Sequence, residues 1–155
     1  MDSLPPSTFS IDAWKVEYSN NADTRKALEW FWQNFDAQGW SVWFSEYRYP
    51  KELQKKFMSL NLMAGFLQRL DELRKYGMGT LLLFGEDNNS EIGGAWVVRG
   101  TELPPALTEC PDFPSYEFTK VDINDAAQKQ LFDNLMAWDG DFKRSLQFVD
   151  GKVFK

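Results

Sequence analysis

The sequence predicts a single α+β domain in which about four helices surround a mainly antiparallel sheet of about five strands. Helix and strand patterns follow one another without the regular alternation of a parallel α/β sheet. Hydrophobic residues make up 43% and aromatic residues 16% of the 155 residues, which is enough to build one core. We therefore expect the domain over residues 9–155, and the end of a linker over residues 1–8, where Pro5-Pro6 lies between serines.

Trp40 to Pro50 carries the strand pattern around which the other elements are placed. Aromatic side chains recur along it, and such side chains fit a pleated, half-buried surface. Successive side chains point to opposite faces. One face carries Ser41, Trp43, Ser45, Tyr47 and Tyr49, and the other carries Trp40, Val42, Phe44, Glu46 and Arg48. Because both faces look covered, we expect an interior strand that ends at Pro50.

Helices are predicted on both sides of this strand. Ser10 and Asp23 are suitable caps for two helices before it. The longest helix follows it, with apolar residues at helical spacing, and Gly65 in its middle indicates close packing of another backbone or, alternatively, a ligand contact. The predicted helices are Ile11 to Tyr18, Thr24 to Phe35, one or two turns at Lys51 to Lys56, and Phe57 to Tyr76, which ends at Gly77.

The second half of the chain predicts the rest of the sheet. Thr80 to Phe84 and Gly94 to Arg99 predict two strands of a hairpin, and Gly93-Gly94 indicates a bulge or a close backbone approach. Asp150-Gly151 is typical of a hairpin turn. The remaining predicted elements are irregular surface at Thr101 to Pro114, an edge strand at Tyr116 to Val121, a helix at Asp125 to Trp138 capped by Asn124, and a short strand at Lys152 to Lys155.

Composition excludes several classes of function. The chain has one cysteine, Cys110, and no histidine, so an intramolecular disulfide, Ser-His catalysis and a structural zinc site are excluded. The net charge of −6 and the lack of a basic cluster beyond Lys55-Lys56 make nucleic-acid binding an unfavoured function. No apolar run has the length of a membrane span, and residues 1–9 show neither a basic start nor an apolar core, so we expect no signal peptide and a cytoplasmic protein.

Catalytic patterns are also missing from the sequence. Asp71-Glu72, Glu86-Asp87 and the pair Asp139 and Asp141 fall in predicted turns or on a solvated helix face, not where carboxylates converge. The glycine patterns lack the spacing of phosphate-binding loops. We therefore expect no enzyme activity and no cofactor.

Glu46 and Arg48 stand two residues apart on one face of the central strand. One interpretation is a structural ion pair that reaches partners on the long helix, such as Arg69 or Asp71. The other is a polar centre in a concave aromatic surface formed with Trp43, Tyr47 and Tyr49, because Tyr, Trp and Arg concentrate binding energy at interfaces.

Long segments of the chain resemble a known family. They are LPPSTF, GWSVWFSEYRYPKEL, KKFMSLNLMAGFLQRLDELRK, LLLFGEDNNSEIGGAWVVRG and the closing GKVFK. With these segments, nearly the whole sequence resembles the C-terminal domain of the gamma subunit of eukaryotic translation elongation factor 1B. The resemblance is weakest over Thr101 to Ser115 and only partial over Met136 to Phe148.

The resemblance implies an α+β domain with an antiparallel sheet, which agrees with the patterns above. It also implies a longer subunit with a glutathione-transferase-like domain, which scaffolds the complex that recharges the aminoacyl-tRNA-carrying elongation factor with GTP. The family domain has no defined catalytic residues, so the expected partners are other subunits of that complex and further proteins.

Candidate partner-binding residues are aromatic, charged or amide side chains on the predicted strands and the long helix. They are Trp43, Glu46, Tyr47, Arg48, Tyr49, Asn61, Arg69, Trp96 and Arg99. The alternative is that a cup lined by Trp43, Tyr47 and Trp96 binds a small ligand, a peptide or RNA, since bases stack on aromatic side chains.

Overall fold

A computed structural model describes residues 4–155 of the chain, and within them all strands belong to one antiparallel sheet. The strands are β1 Trp40–Tyr47, β2 Gly77–Glu86, β3 Asn89–Arg99, β4 Tyr116–Lys120 and β5 Phe148–Phe154. Their order across the sheet is β4-β1-β3-β2-β5. The predicted α+β class and five-stranded sheet are therefore confirmed.

Helices cover both faces of this sheet. The α-helices are α1 Ile11–Asn20, α2 Thr24–Asn34, α3 Lys56–Arg69, the single turn α4 Pro105–Thr108, and α5 Ala126–Ala137. Shorter 3₁₀ turns occupy Pro50–Glu52, Asp71–Tyr76 and Phe113–Ser115. One core lies between the sheet and α1, α2 and α5, and we call that side the α5 face. The other core lies between the sheet and α3, and we call that side the α3 face.

β1 is an interior strand, as predicted, because β4 and β3 pair with it on either side. Its side chains alternate as expected: Trp40 and Val42 belong to the core of the α5 face, whereas Trp43 and Tyr47 belong to the core of the α3 face. The strand ends at Tyr47, three residues before Pro50, and Pro50 begins the 3₁₀ turn Pro50–Glu52.

The predicted caps of the first two helices are confirmed. The Ser10 hydroxyl accepts a hydrogen bond from the Ala13 N–H at 3.1 Å, and the Asp23 carboxylate accepts one from the Arg25 N–H at 3.0 Å. The expected cap of the last helix is wrong by one residue. Asp125, not Asn124, accepts from the backbone N–H groups at the start of α5.

The long helix predicted over Phe57 to Tyr76 is two elements. α3 ends at Arg69, and the chain then tightens into the 3₁₀ turn Asp71–Tyr76. Leu70 and Leu73, three residues apart, are both fully buried, and a 3₁₀ turn places such residues on the same side. Gly77, expected to end the helix, begins β2 instead.

A close backbone approach was predicted at two glycine positions, and the structure has it at one of them. Gly94 marks a close backbone approach, because a Cβ there would lie 2.1 Å from the Thr80 carbonyl oxygen of β2. Gly65 does not face another backbone. A Cβ on Gly65 would lie 2.9 Å from Nη2 of Arg69, so the glycine leaves room for a side chain of its own helix.

The end of the chain also differs from the prediction. Asp150 and Gly151 are not a hairpin turn but part of β5, which runs from Phe148 and pairs with β2. A register shift between Leu83 and Phe84 accommodates the pairing. The segment 101–114, expected to be irregular, contains α4 and most of the 3₁₀ turn Phe113–Ser115, and β4 is an edge strand as predicted.

Candidate functional site

The three aromatic residues of the predicted cup belong to the core. Trp43 and Tyr47 are each 8% exposed, and Trp96 is fully buried. Both indole N–H groups are satisfied inside the protein: that of Trp43 donates to the Ser41 hydroxyl at 2.8 Å, and that of Trp96 donates to the Ser45 hydroxyl at 2.9 Å. The prediction of an open aromatic cup is therefore wrong. Aromatic residues at strand spacing look the same in sequence whether a helix covers them or not.

Glu46 is part of an ion pair, but not with the predicted partners. It points to the α5 face, whereas Arg69 lies on α3 across the sheet. The two carboxylate oxygens of Glu46 accept hydrogen bonds from Nη2 and Nη1 of Arg144, at 2.9 and 3.1 Å. Arg144 lies in the loop between α5 and β5 and also donates to Glu91 at 3.2 Å.

Arg144 is the residue that sequence reasoning missed. Its guanidinium lies 4.3 Å from the centre of the Phe84 ring and over Gly93, where a Cβ would come within 2.7 Å of Nη2. Burial alone would lower its pKa, but the hydrogen bond and charge of Glu46, with the charge of Glu91, raise the pKa above its ordinary value. The signal in the sequence was Gly93, which leaves space for this side chain.

Arg48 lies near the sheet edge and is half exposed. Its Nη1 is 3.8 Å from a carboxylate oxygen of Glu117 on β4, and its Nε donates to the Tyr116 carbonyl at 3.2 Å. Next to it, a cavity of about 370 Å³ lies between the sheet and α5. Its lining includes Phe44, Glu46, Glu117, Leu131, Leu135 and Arg144.

Arg69 and Arg99 fasten segments of the chain to each other. Arg69 makes two hydrogen bonds of 2.6 Å to Asp112, and this bonding lowers the pKa of the Asp112 carboxyl. Arg99 donates to the carbonyl of Gly39 and to that of Pro5. Of the predicted linker at 1–8, residues 1–3 lie outside the described residues, and Pro5 contacts the domain through this bond.

The outward side of α3 is an uncharged surface with two exposed apolar side chains. Residues 57–68 contain no charged side chain. We define the α3 outer surface by its exposed members, which are Phe57, Met58, Asn61, Ala64 and Gln68. Phe57 is 65% and Met58 47% exposed, although both are apolar. Asn61 is the predicted partner-binding residue on this surface, and Tyr49, 45% exposed, lies outside it.

Residues 4–155 contain no group of three or more His, Cys, Asp or Glu side chains placed to hold a metal ion. None of their helices combines the length and the apolar character that crossing a membrane requires.

Comparison of the sequence with known families places the chain among domains of elongation factors. Residues 1–102 match the family model described as elongation factor 1 gamma, conserved domain. The chain therefore belongs to the elongation factor 1-gamma family, and the resemblance seen in its sequence motifs is confirmed.

Individual relatives match nearly the whole chain. Elongation factor 1-gamma-A of Xenopus laevis is 45% identical over 98% of this chain. Elongation factor 1-gamma of Carassius auratus and that of Homo sapiens are each 44% identical over 98% of it. The chain spans 36%, 35% and 36% of the length of these three relatives, respectively, or about a third.

Proposed function

We propose that this chain is a non-catalytic protein-interaction and scaffold domain of the translation elongation factor 1B complex. That complex supports GDP/GTP exchange on the elongation factor that carries aminoacyl-tRNA, and a cytoplasmic location follows from the role in translation. Membership of the elongation factor 1-gamma family supports the complex. The α3 outer surface is the structural observation that supports binding of a protein.

The α3 outer surface has the properties of a docking surface. Two large apolar side chains, Phe57 and Met58, stand in solvent at the start of the helix. Full burial of a Phe or Met side chain contributes about 1.5–3 kcal/mol, and since these two are already partly buried, docking on both can add about 2–3 kcal/mol in all. Ala64 further along is exposed and carries only a methyl group, which lets a partner approach the helix there. The 14 residues of α3 extend over about 21 Å.

Charges around the start of α3 indicate the chemistry of the partner. Lys51, Lys55 and Lys56 are all exposed there. Glu52, also exposed, and Asp87 offset part of this charge and leave one positive charge in excess. Asp87 lies 3.8 Å from Nζ of Lys55 and accepts from the Lys56 N–H at 2.9 Å. An amphipathic helix of another subunit, apolar on one side and acidic at one end, complements this surface and is the occupant we propose.

The test is binding to the other purified subunits of the complex. The variant Phe57→Glu with Met58→Glu places two charges on the α3 outer surface and is expected to weaken binding at least tenfold. Val16→Glu is the matched control, because Val16 is 56% exposed on α1, on the opposite side of the sheet. Circular dichroism checks that both variants fold.

Equal binding by the parent domain and the double variant would refute the α3 outer surface as the docking site. Failure of the parent domain to bind any other subunit would refute the scaffold role itself.

A further inference from the structure

The open side of β4 is one edge of the sheet. Among residues 4–155, β1 is the one strand that pairs with β4. The Val121 N–H donates to the Val42 carbonyl, and the Arg48 N–H donates to the Ser115 carbonyl, both at 2.9 Å. Odd-numbered residues of β4 therefore face β1, and the backbone groups of Phe118 and Lys120 point to the open side.

Two negatively charged carboxylates stand side by side at this edge. Glu46 of β1 and Glu117 of β4 are paired directly across the strands. Like charges opposite each other destabilise a sheet unless a cation lies between them. The side chain of Glu117 is 64% exposed, and its contact with Arg48, at 3.8 Å, is longer than a hydrogen bond.

The charges near this edge do not balance. On the α5 face, Glu46 shares Arg144 with Glu91, and the ion-pair partner of Glu117 is the exposed Arg48. Lys120, the cation of β4, lies on the other face, over the Trp43 ring. Three carboxylates thus face two guanidinium groups, which leaves one negative charge in excess.

The cavity beside these carboxylates has an apolar floor. Phe44, Leu131 and Leu135 line it together with Glu46, Glu117 and Arg144, and its volume is about 370 Å³. The guanidinium of Arg144 is already bonded to Glu46 and Glu91, which leaves Glu117 as the carboxylate that an incoming cation can meet. Lysine and arginine bury an aliphatic stem against apolar surface while the charged end meets a polar group. The cavity therefore matches a basic side chain better than a neutral or acidic one.

We propose that an extended, basic segment of a partner protein adds to β4 as a sixth strand. Its backbone pairs with the outward groups of Phe118 and Lys120, and one lysine or arginine side chain crosses β4 into the cavity toward Glu117 and Glu46. Strand addition to a free edge is a recurring mode of peptide recognition, in which backbone bonds give affinity and side-chain pockets give specificity. This site shares no residue with the α3 outer surface. Its test is therefore independent of the test of the proposed function.

The experiment is a titration of the ¹⁵N-labelled domain, followed by amide chemical shifts. The probe is a blocked hexapeptide of alternating threonine and arginine, and the control is the same peptide with glutamate in place of arginine. We expect shifts along β4 and in the loop of Arg144 with the arginine peptide. Equal shifts with the glutamate peptide, or shifts confined to other elements, would overturn the proposal.

Two variants separate the backbone and the charge contributions. Lys120→Pro removes an N–H that faces away from β1, so the fold is retained and binding is lost. Glu117→Gln is expected to weaken binding about two- to fivefold, the range for an exposed ion pair. Glu102→Gln, exposed elsewhere, is the control and leaves binding unchanged.

Unchanged binding by both Lys120→Pro and Glu117→Gln would contradict the docking geometry. Spermidine is added as a further probe. If it alone reproduced the shifts with the same dependence on Glu117, a small cation rather than an extended chain would be the occupant, and the proposal would fail.

Discussion

Replacement of Arg144 by methionine is the sharpest test of how the α5 face is held together. The variant removes the guanidinium but keeps an unbranched stem that still packs on the Phe84 ring. It leaves Glu46 and Glu91 without their common partner. The free energy of unfolding should therefore fall, and the loss should come from electrostatics rather than from packing.

The expected size follows from the contacts and their exposure. Arg144 makes hydrogen bonds of 2.9 and 3.1 Å to Glu46 and of 3.2 Å to Glu91, and its side chain is 18% exposed. Breaking a buried pair typically costs about 3–5 kcal/mol. The side chains of Glu46 and Glu91 are 46% and 35% exposed, so water replaces part of the lost bonding. We expect a loss of about 2–3 kcal/mol.

Urea unfolding followed by tryptophan fluorescence measures this loss. Arg48→Met is the matched control, because it removes the same charge from a half-exposed site whose contact to Glu117 is 3.8 Å long. Its expected loss is below about 1 kcal/mol, as for exposed ion pairs.

A change of less than about 0.5 kcal/mol in Arg144→Met, the range of ordinary surface substitutions, would refute this account of the α5 face. Equal losses in Arg144→Met and Arg48→Met would refute the assignment of the buried ion pair to Arg144.

Three further predictions concern single residues. Asp112→Asn breaks the ion pair with Arg69, which is half exposed, and should lower the free energy of unfolding by about 1 kcal/mol near neutral pH. The pKa of Asp112 is lowered in the folded state, so urea unfolding should show this difference shrinking as the pH falls through that pKa. Burial raises the pKa of Asp133, whose carboxylate accepts a hydrogen bond from the Trp32 indole at 2.7 Å. Asp133→Asn keeps an acceptor and removes the buried charge, so it should unfold at a higher urea concentration than the parent at pH 7 and lose this advantage in acid. Gly94→Ala should destabilise the domain by more than about 2 kcal/mol in the same assay, because its Cβ would lie 2.1 Å from a β2 carbonyl oxygen, whereas a loss below about 0.5 kcal/mol would mean that the strands separate easily there.

The strands could be predicted from sequence because alternation is a local property. Trp40 to Tyr47 shows its two faces in its own residues, and both faces meet separate cores in the structure. The same holds for the caps Ser10 and Asp23, which act on backbone groups two or three residues away. The break between α3 and the 3₁₀ turn could not be predicted, because burial of Leu70 and Leu73 by the sheet decides it.

The partners of charged side chains lay beyond sequence reasoning for a different reason. Glu46 and Arg144 are separated by 98 positions, and the sequence around each residue does not identify the other as its partner. The burial of Trp43 and Trp96 under α3 likewise depends on the three-dimensional packing and not on the local sequence. Asn61 was predicted on an exposed helix face and lies there, but its contact with a partner stays a prediction.

The central claim is that the α3 outer surface docks on another subunit of the elongation factor complex. The most direct measurement is photo-crosslinking in the reconstituted complex, with benzoylphenylalanine placed at Phe57 or, as the control, at Val16. We predict a crosslink to another subunit from position 57 and none from position 16. A crosslink from position 16 alone, or none from either position in an intact complex, would contradict the claim.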